Sequence, residues 1–434
     1  MCIRDRFISI QIDINNNNCY TKLKYRLLII MIRFSRIFAL YFVIFASVLG
    51  HGLMISIFPP MLLHIEESTF FYGNLISTRY FFLGILLFLY PIGQFVGAPY
   101  IERLSDRFGR KPVLTVSLLG AALFYAIISF AILESNYIML AVSIFLTGVI
   151  ESNVLIAHEV IGVAALTKNN NKLIAATYVV ASLAYLVGPL FGGRIAGMFN
   201  YSTPFWCAFF LLLIATIWIF ASFDESYIPK KRLKVDGISR EGIASMLKSH
   251  STKPLYIANF LLYFSMFGFF RSISMYIVDA FQAKVTLLST FLSWFILPML
   301  IIDLCFLKMS EKEWKPRRIL SIFPFMMGAA MFLVLLPIQT NILWFTLMMI
   351  SIPIAFCFPA CNSIALLSAR GHVKGRATGN DQVIQFLATA LAALLSGLLA
   401  TVLTSLPLIV FSVAAVLAGI IVNCSKPMKS SKKA

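Results

Sequence analysis

The chain has 434 residues, of which 60% are hydrophobic and only 12% charged, and its formal net charge is +18. Soluble globular domains carry about 45–50% apolar and about 25% charged residues, so no soluble fold of this length could bury so much apolar side chain. The positive charge does not indicate nucleic-acid binding, because the basic residues lie between hydrophobic runs rather than on one face with base-reading groups. A lipid bilayer is the solvent that fits this composition.

Twelve runs are predicted to be membrane-spanning helices, because a span needs about 20 mostly apolar residues. They lie near residues 37–59, 80–101, 113–133, 137–161, 174–197, 204–223, 255–278, 285–307, 319–338, 342–367, 377–402 and 405–423. The predicted parts are a disordered cytoplasmic leader (1–36), a six-helix bundle (37–223), a cytoplasmic linker (224–254), a second six-helix bundle (255–423) and a basic tail (424–434).

The distribution of basic residues predicts the orientation of these runs. Lysine and arginine accumulate on the cytoplasmic side of membrane proteins. Here 32 of the 36 lie in seven segments that fall on one side if every run crosses once. We therefore expect a multi-pass protein of the cell's inner membrane with both termini in the cytoplasm.

The loop between the second and third runs concentrates charge in a short turn. Its sequence is GAPYIERLSDRFGRKPVL, from Gly97 to Leu114, and Gly109 permits the tight backbone that such a turn needs. Charge pairs in this loop can hold two helices together and release them when a partner changes charge. Its charged residues at the turn are Asp106, Arg107, Arg110 and Lys111.

LSDRFGRK resembles the signature loop of the major facilitator superfamily and occupies the same place in the chain. The resemblance implies an all-helical fold with twelve transmembrane helices in two six-helix bundles. It also implies that the loop is a gate that helps to switch the carrier between inward- and outward-facing states. The gating residues would be Asp106, Arg107, Gly109, Arg110 and Lys111. The glycine that the family usually has four residues before the aspartate is Glu102 here.

A second motif lies in the fifth run, where the sequence reads GPLFGG. Proline bends a helix and paired glycines allow a neighbouring helix to approach closely. This motif resembles the one that marks exporters of the superfamily, and it implies efflux. Its defining residues are Gly188, Pro189, Gly192 and Gly193.

The first run contains GHGLMISIFPP, from Gly50 to Pro60, which resembles the opening helix of tetracycline and multidrug exporters. Many of those proteins carry an aspartate and an arginine where this chain has Ser47 and Ile144. The missing arginine is commonly tied to proton handling, so the resemblance leaves proton coupling open.

Ionisable groups at membrane depth are costly and are therefore candidates for function. Glu151, in the fourth run, is predicted to carry protons, with a structural hydrogen bond to a neighbouring helix as the alternative. His158 follows seven residues later and would project from the same face of one helix. Glu159 is a further proton-coupling candidate or, alternatively, a partner of Arg110 across the inner gate.

Three residues are candidates for a substrate cavity. Arg271 would suit an anionic substrate, with extension of its side chain toward the membrane surface as the alternative. Phe267 belongs to an aromatic group that would line a cavity for apolar compounds or simply pack between helices. His51 is either a satisfied polar contact or part of a proton relay.

Two further acidic positions are predicted outside the cavity. Asp303 lies five residues from Lys308 and is expected at a gate or an interface. Asn380, Asp381 and Gln382 are expected to cap or line the inner end of the eleventh run.

The leading hypothesis is a secondary active transporter that exports a small amphipathic compound or drug by proton antiport through alternating access. Its expected partners are that small molecule, protons and the lipid bilayer. One alternative is an uptake symporter or uniporter for a metabolite or nutrient. The other is a non-transporting membrane protein, although the outer loops are too short to hold an enzyme's catalytic set. No metal or cofactor is predicted. Substrate identity and oligomeric state stay open, and a monomer is compatible with the sequence.

Overall fold

The structure, a computed structural model, describes residues 19–64, 70, 76–168, 172–223, 253–307, 316–336, 340–368 and 374–425. Within these ranges it contains thirteen α-helices and no strand. In chain order they are α1 (Cys19–Leu63), α2 (Ile76–Phe108), α3 (Arg110–Leu133), α4 (Tyr137–Glu151), α5 (Val154–Lys168), α6 (Lys172–Met198), α7 (Thr203–Ser222), α8 (Lys253–Phe281), α9 (Val285–Phe306), α10 (Pro316–Leu333), α11 (Thr340–Ser368), α12 (Lys374–Ala400) and α13 (Leu406–Cys424).

The helices occupy the positions of the twelve predicted runs. In the described residues eleven segments are long and apolar enough to span a membrane, and α4 with α5 forms one of them, Tyr137–Gly162. The remaining run corresponds to α10, which has 18 residues and is not among those eleven. Apolar runs fold as helices because a bilayer offers no partner for backbone N–H and C=O groups. The predicted all-helical membrane fold is confirmed.

The first helix is longer than the sequence predicted. It begins at Cys19, so residues 19–36 are helical where a disordered leader was expected. Neither glycine nor proline occurs between Cys19 and Leu49, so no residue in that stretch interrupts the helix. Residues 1–18 of the predicted leader, 224–252 of the linker and 426–434 of the tail lie outside the described residues.

Turns between the helices follow local side-chain chemistry. Gly109 separates α2 from α3 with a φ of 97°, in the region that favours glycine. Asn136 caps α4, because its side chain accepts a hydrogen bond from the backbone N–H of Met139. The end of the molecule that carries the Gly109 turn is called the Asp106 end, and the other is called the opposite end.

The helices of each half pack mainly with one another, and two seams join the halves: α2 against α12 and α6 against α9. Glycines set the spacing at both seams. A Cβ atom on Gly84 would lie 2.5 Å from the Cα atom of Gly397, so α2 and α12 touch through their backbones. A Cβ atom on Gly193 would overlap Ser289 and lie 3.0 Å from the carbonyl oxygen of Val285 in α9.

The two halves touch at both ends of the molecule. At the opposite end His64 Nε2 lies 3.1 Å from the carbonyl oxygen of Ala283. Toward the Asp106 end Leu155 of α5 packs in one apolar cluster with Val383 and Phe386 of α12. The centre between these contacts holds the polar groups described next.

Candidate functional site

The fourth predicted run is broken at its acidic residue. Helix α4 ends at Glu151, Ser152 and Asn153 form a turn, and α5 begins at Val154. The Ser152 hydroxyl donates to the carbonyl of Val149, and the Asn153 amide donates to Ser117 Oγ in α3, 2.7 Å away. Side chains of this kind compete with helical hydrogen bonds. We attribute the break to this competition.

This break corrects the prediction for His158. Glu151 and His158 were expected to share one face of a continuous helix, but they belong to two helices separated by the turn. His158 lies in α5 and is only partly buried. Glu151 and His158 therefore do not share one face of a single helix.

The Glu151 carboxylate is completely buried and its two oxygens have different surroundings. Tyr90 of α2 donates a hydrogen bond of 2.6 Å to Oε2, and Tyr125 of α3 donates a longer one of 3.3 Å. Oε1 has no hydrogen-bond partner. Gly50 makes this geometry possible, since a Cβ atom there would overlap the Tyr125 hydroxyl. Oε1 is thus the free position for a proton.

His51 connects this carboxylate group to the other half of the molecule. Its ring stacks on Tyr90 with centroids 4.6 Å apart, and its Nδ1 lies 3.0 Å from the Tyr185 hydroxyl. Its Nε2 lies 2.9 Å from Nη2 of Arg271 in α8. Arginine offers only donors, so Nε2 must accept and Nδ1 carries the hydrogen. The contact requires neutral His51.

Arg271 is fully buried, so its side chain does not extend toward the membrane surface, and a role with an anionic substrate stays a prediction. Besides the bond to His51, its Nη1 donates to the carbonyl oxygen of Phe267 at 3.2 Å, while Nε has no partner. The half-buried Phe267 ring lies 6.1 Å from that of Phe358. Sequence reasoning identified His51 and Arg271 separately but gave no signal that they meet.

At the Asp106 end, one predicted charge pair is present. Arg110 Nη2 lies 3.4 Å from Glu159 Oε2. The Arg107 guanidinium lies over the Phe108 ring, and the Lys111 ammonium lies 5.3 Å from the ring centroid of Phe220 in α7. Asp106 is exposed. The gating role of this loop stays a prediction.

The glycines of the GPLFGG motif face two different helices. Against α1, a Cβ atom on Gly188 would lie 3.0 Å from the carbonyl oxygen of Leu49, and one on Gly192 would overlap Leu53. Gly193 faces Ser289 of α9 in the other half. Pro189 lies inside α6, which stays a single helix from Lys172 to Met198. The motif thus lets α6 touch α1 and α9 at once.

We expect Gly193→Ala to destabilise the α6–α9 seam. The added methyl overlaps Ser289 and crowds the Val285 carbonyl, and overpacking of this kind costs about 1–3 kcal/mol. The matched control is Gly162→Ala, whose methyl meets no atom within 4 Å. Thermal unfolding of the purified variants in detergent measures both. Equal unfolding temperatures would contradict the tight seam.

The profile of the Major Facilitator Superfamily matches residues 40–379 and 255–433. The tetracycline resistance protein, class B, of Escherichia coli is 27% identical over 218 residues, which is 50% of this chain and 51% of that protein. Multidrug resistance protein 2 of Bacillus subtilis (strain 168) is 28% identical over 227 residues, 51% of this chain and 52% of that protein. The chain thus spans about half the length of these curated relatives.

Among solved structures, the human organic anion transporter MFSD10 (TETRAN) has a similar fold. Its TM-score is 0.71 at 16% sequence identity, over 89% of this chain and 99% of that chain. At this identity the likeness shows the fold alone. Together with the apolar helices, the family match shows a multi-pass integral membrane protein. The chain belongs to the major facilitator superfamily.

Proposed function

We propose that this transporter exports a small amphipathic compound by proton antiport through alternating access. It would lie in the cell's inner membrane with both termini in the cytoplasm, as the distribution of Lys and Arg predicts. The observation that carries the proposal is Glu151, a buried carboxylate with one oxygen that has no hydrogen-bond partner. A group that binds and releases protons from within the helical core is what proton antiport requires.

The position of Glu151 supports this assignment. Ser47, which stands where many related exporters have an aspartate, lies beside the Glu151 carboxylate. The acid is therefore supplied by α4 instead of α1 at nearly the same place. The turn at Ser152 and Asn153 directly after it provides a point at which α4 and α5 can move separately.

A series of contacts from Glu151 to Arg271, made of two hydrogen bonds and one ring stack, supplies the coupling. Tyr90 contacts both the carboxylate and the His51 ring, and His51 contacts Arg271 across the two halves. A proton that arrives at Glu151 removes the negative charge that the Tyr90 hydroxyl contacts, and one that arrives at His51 removes the acceptor for Arg271. Protonation of His51 weakens the contact between the halves and favours their rearrangement, and Glu151 is linked to that contact through the Tyr90 ring that stacks on His51.

The direction of transport is supported by the GPLFGG motif and by the relatives whose names refer to tetracycline and multidrug resistance. Export is tested by measuring the accumulation of ethidium and a panel of antibiotics in cells that express the protein, with and without a protonophore. We expect lower accumulation than in cells with the empty vector, and loss of that difference with the protonophore. Higher accumulation would indicate uptake, and no difference for any compound would contradict export.

A further inference from the structure

A second buried polar centre lies between the two halves, toward the Asp106 end. It contains the carboxylates of Asp381 in α12, which is fully buried, and Asp303 in α9, which is 5% exposed. The sequence predicted that Asp381 would cap or line the end of its helix, but α12 begins seven residues earlier, at Lys374. Among the described residues neither carboxylate has an ion-pair partner. Two buried acids without a cation are costly in a membrane protein.

The surroundings of Asp381 contain an excess of hydrogen-bond acceptors. Tyr263 donates to Oδ2 at 2.7 Å, and Asn259 Nδ2 donates to Oδ1 at 3.2 Å and to the carbonyl oxygen of Cys361 at 3.0 Å. These two acceptors fix the orientation of the Asn259 amide. If the amide were turned over, its oxygen rather than its nitrogen would face two acceptor oxygens. The Oδ1 atom of Asn259, a residue 1% exposed, is left without a donor.

Gln385 adds another acceptor on the same side of α12. It follows Asp381 by four residues, which places the two side chains on one helix face. Its Oε1 atom is buried and has no hydrogen-bond partner. Buried polar atoms normally find partners, so the two unpartnered oxygens, one on Asn259, which bonds to Asp381, and one on Gln385 a helical turn later, point to a ligand that donates hydrogen bonds or carries positive charge.

Asp303 brings the first half of the molecule into this centre. Ser182 of α6 donates a hydrogen bond of 2.6 Å to its Oδ2 atom, across the α6–α9 seam. Tyr178 precedes Ser182 by one helical turn, and its ring contacts that of Phe358, which also contacts Tyr263, the hydrogen-bond donor to Asp381. Asp303 was expected at a gate or an interface, and its contact with Ser182 places it at the interface between the two halves.

Aromatic rings adjoin Asp381, because its hydrogen-bond donor Tyr263 packs against Phe358. The half-buried ring of Phe358 makes edge contacts with Tyr178, Tyr263 and Phe267, with centroids 5.7, 5.9 and 6.1 Å apart. Ring faces attract cations, and alkylammonium groups bind in such aromatic surroundings. Arg271 cannot neutralise the centre, because it lies eight residues after Tyr263, about 12 Å along the helix, and bonds to His51.

We propose that Asp381 and Asp303, with the rings of Tyr178 and Phe358, bind the positively charged nitrogen of an organic cation that the protein transports. This inference rests on the proposed function and adds the substrate class to it. The carboxylates and the two unpartnered oxygens offer acceptors and negative charge, and the rings cover the apolar part of the cation. The contact of Asp303 with Ser182 places the cation where α6 and α9 separate when the carrier opens.

Binding of ethidium, a permanent organic cation, to the purified protein tests the inference without reference to transport. Fluorescence anisotropy would give Kd for the wild type, for Asp381→Asn and for Asp303→Asn. We expect each substitution to raise Kd about tenfold or more, because a charged contact is lost. The matched control is Asp279→Asn on α8, whose carboxylate accepts a hydrogen bond from Thr404 near the opposite end and should leave Kd unchanged.

Tetraphenylphosphonium should displace ethidium, and the neutral triphenylphosphine oxide should not. Size-exclusion chromatography shows whether each variant is folded. If Asp381→Asn does not fold, Asp303→Asn still tests the site. If both substitutions weaken ethidium binding, the cation site is supported even when the protein exports nothing. Absence of export contradicts only the proposed export function. Wild-type affinity in both folded variants, or no ethidium binding by the folded wild type, overturns the cation site and leaves proton-coupled export in place.

Discussion

Replacing Glu151 by glutamine is expected to abolish proton-driven transport while the protein stays folded and exchanges substrate. Glutamine keeps an oxygen that accepts hydrogen bonds from Tyr90 and Tyr125, but it cannot bind and release a proton. The measurement uses the protein reconstituted in liposomes. Ethidium transport driven by a pH gradient should fall to the level of protein-free liposomes, whereas ethidium exchange without a gradient should persist.

The control for this substitution is Glu134→Gln. Glu134 is an exposed acid in the turn that follows α3, so its neutralisation should change neither activity. Wild-type response to the pH gradient in Glu151→Gln would exclude Glu151 as the proton carrier. Loss of both gradient-driven transport and exchange would instead favour the structural hydrogen bond, the alternative that the sequence left open.

Features that depend on local sequence could be predicted well. The apolar runs gave the positions of the helices because length and hydropathy decide whether a segment crosses a bilayer. The Gly109 turn and the contact between Arg110 and Glu159 follow from residues near the ends of neighbouring runs. Glu151 stood out because a carboxylate at membrane depth is costly and is therefore a candidate for function.

Features that depend on contacts between distant segments could not be predicted from the sequence. His51 and Arg271 are separated by 220 positions in the chain, and no pattern in either helix indicates the pair. Tyr90 is one of 16 tyrosines, and nothing in the sequence distinguishes it from tyrosines that only pack. Asp381 was expected to cap or line the inner end of its run, whereas the helix begins seven residues earlier, at Lys374, and tertiary packing buries the side chain.

The break after Glu151 was missed for a different reason. Helix ends are recognised by glycine and proline, and neither occurs between Glu151 and Ile161. The interruption comes instead from Ser152 and Asn153, whose side chains bond to the backbone and to α3. Consecutive short polar residues directly after a buried acid were the available signal.

Substituting Arg271 by glutamine is expected to slow ethidium transport about 10- to 100-fold. The reason is that the hydrogen bond from Arg271 to His51 stabilises the state in which α8 and α1 are joined at the centre, so without it the carrier returns to that state less readily in each cycle. A hydrogen bond to a charged group contributes about 1.5–3 kcal/mol, and about 1.4 kcal/mol corresponds to a tenfold change in an equilibrium. Initial rates in liposomes, normalised to the amount of reconstituted protein, give the effect.

Arg194→Gln is the matched control. Arg194 is an exposed arginine on α6, so the same change of charge there should leave the rate unaltered. Wild-type rates in Arg271→Gln would show that the contact does not limit transport. Equal losses in the two variants would trace the effect to net charge rather than to the contact with His51.

The combination with His51→Gln separates the contact from other roles of Arg271. Glutamine at position 51 retains an oxygen that can accept from Arg271, so the single variant should keep part of the contact and lose its dependence on the protonation of His51. If the two residues act through their mutual bond, His51→Gln should add little to the effect of Arg271→Gln in the double variant. Additive losses would mean that Arg271 acts independently of His51. The cycle thus decides whether the two residues form one proton-sensitive link between the halves or have separate roles.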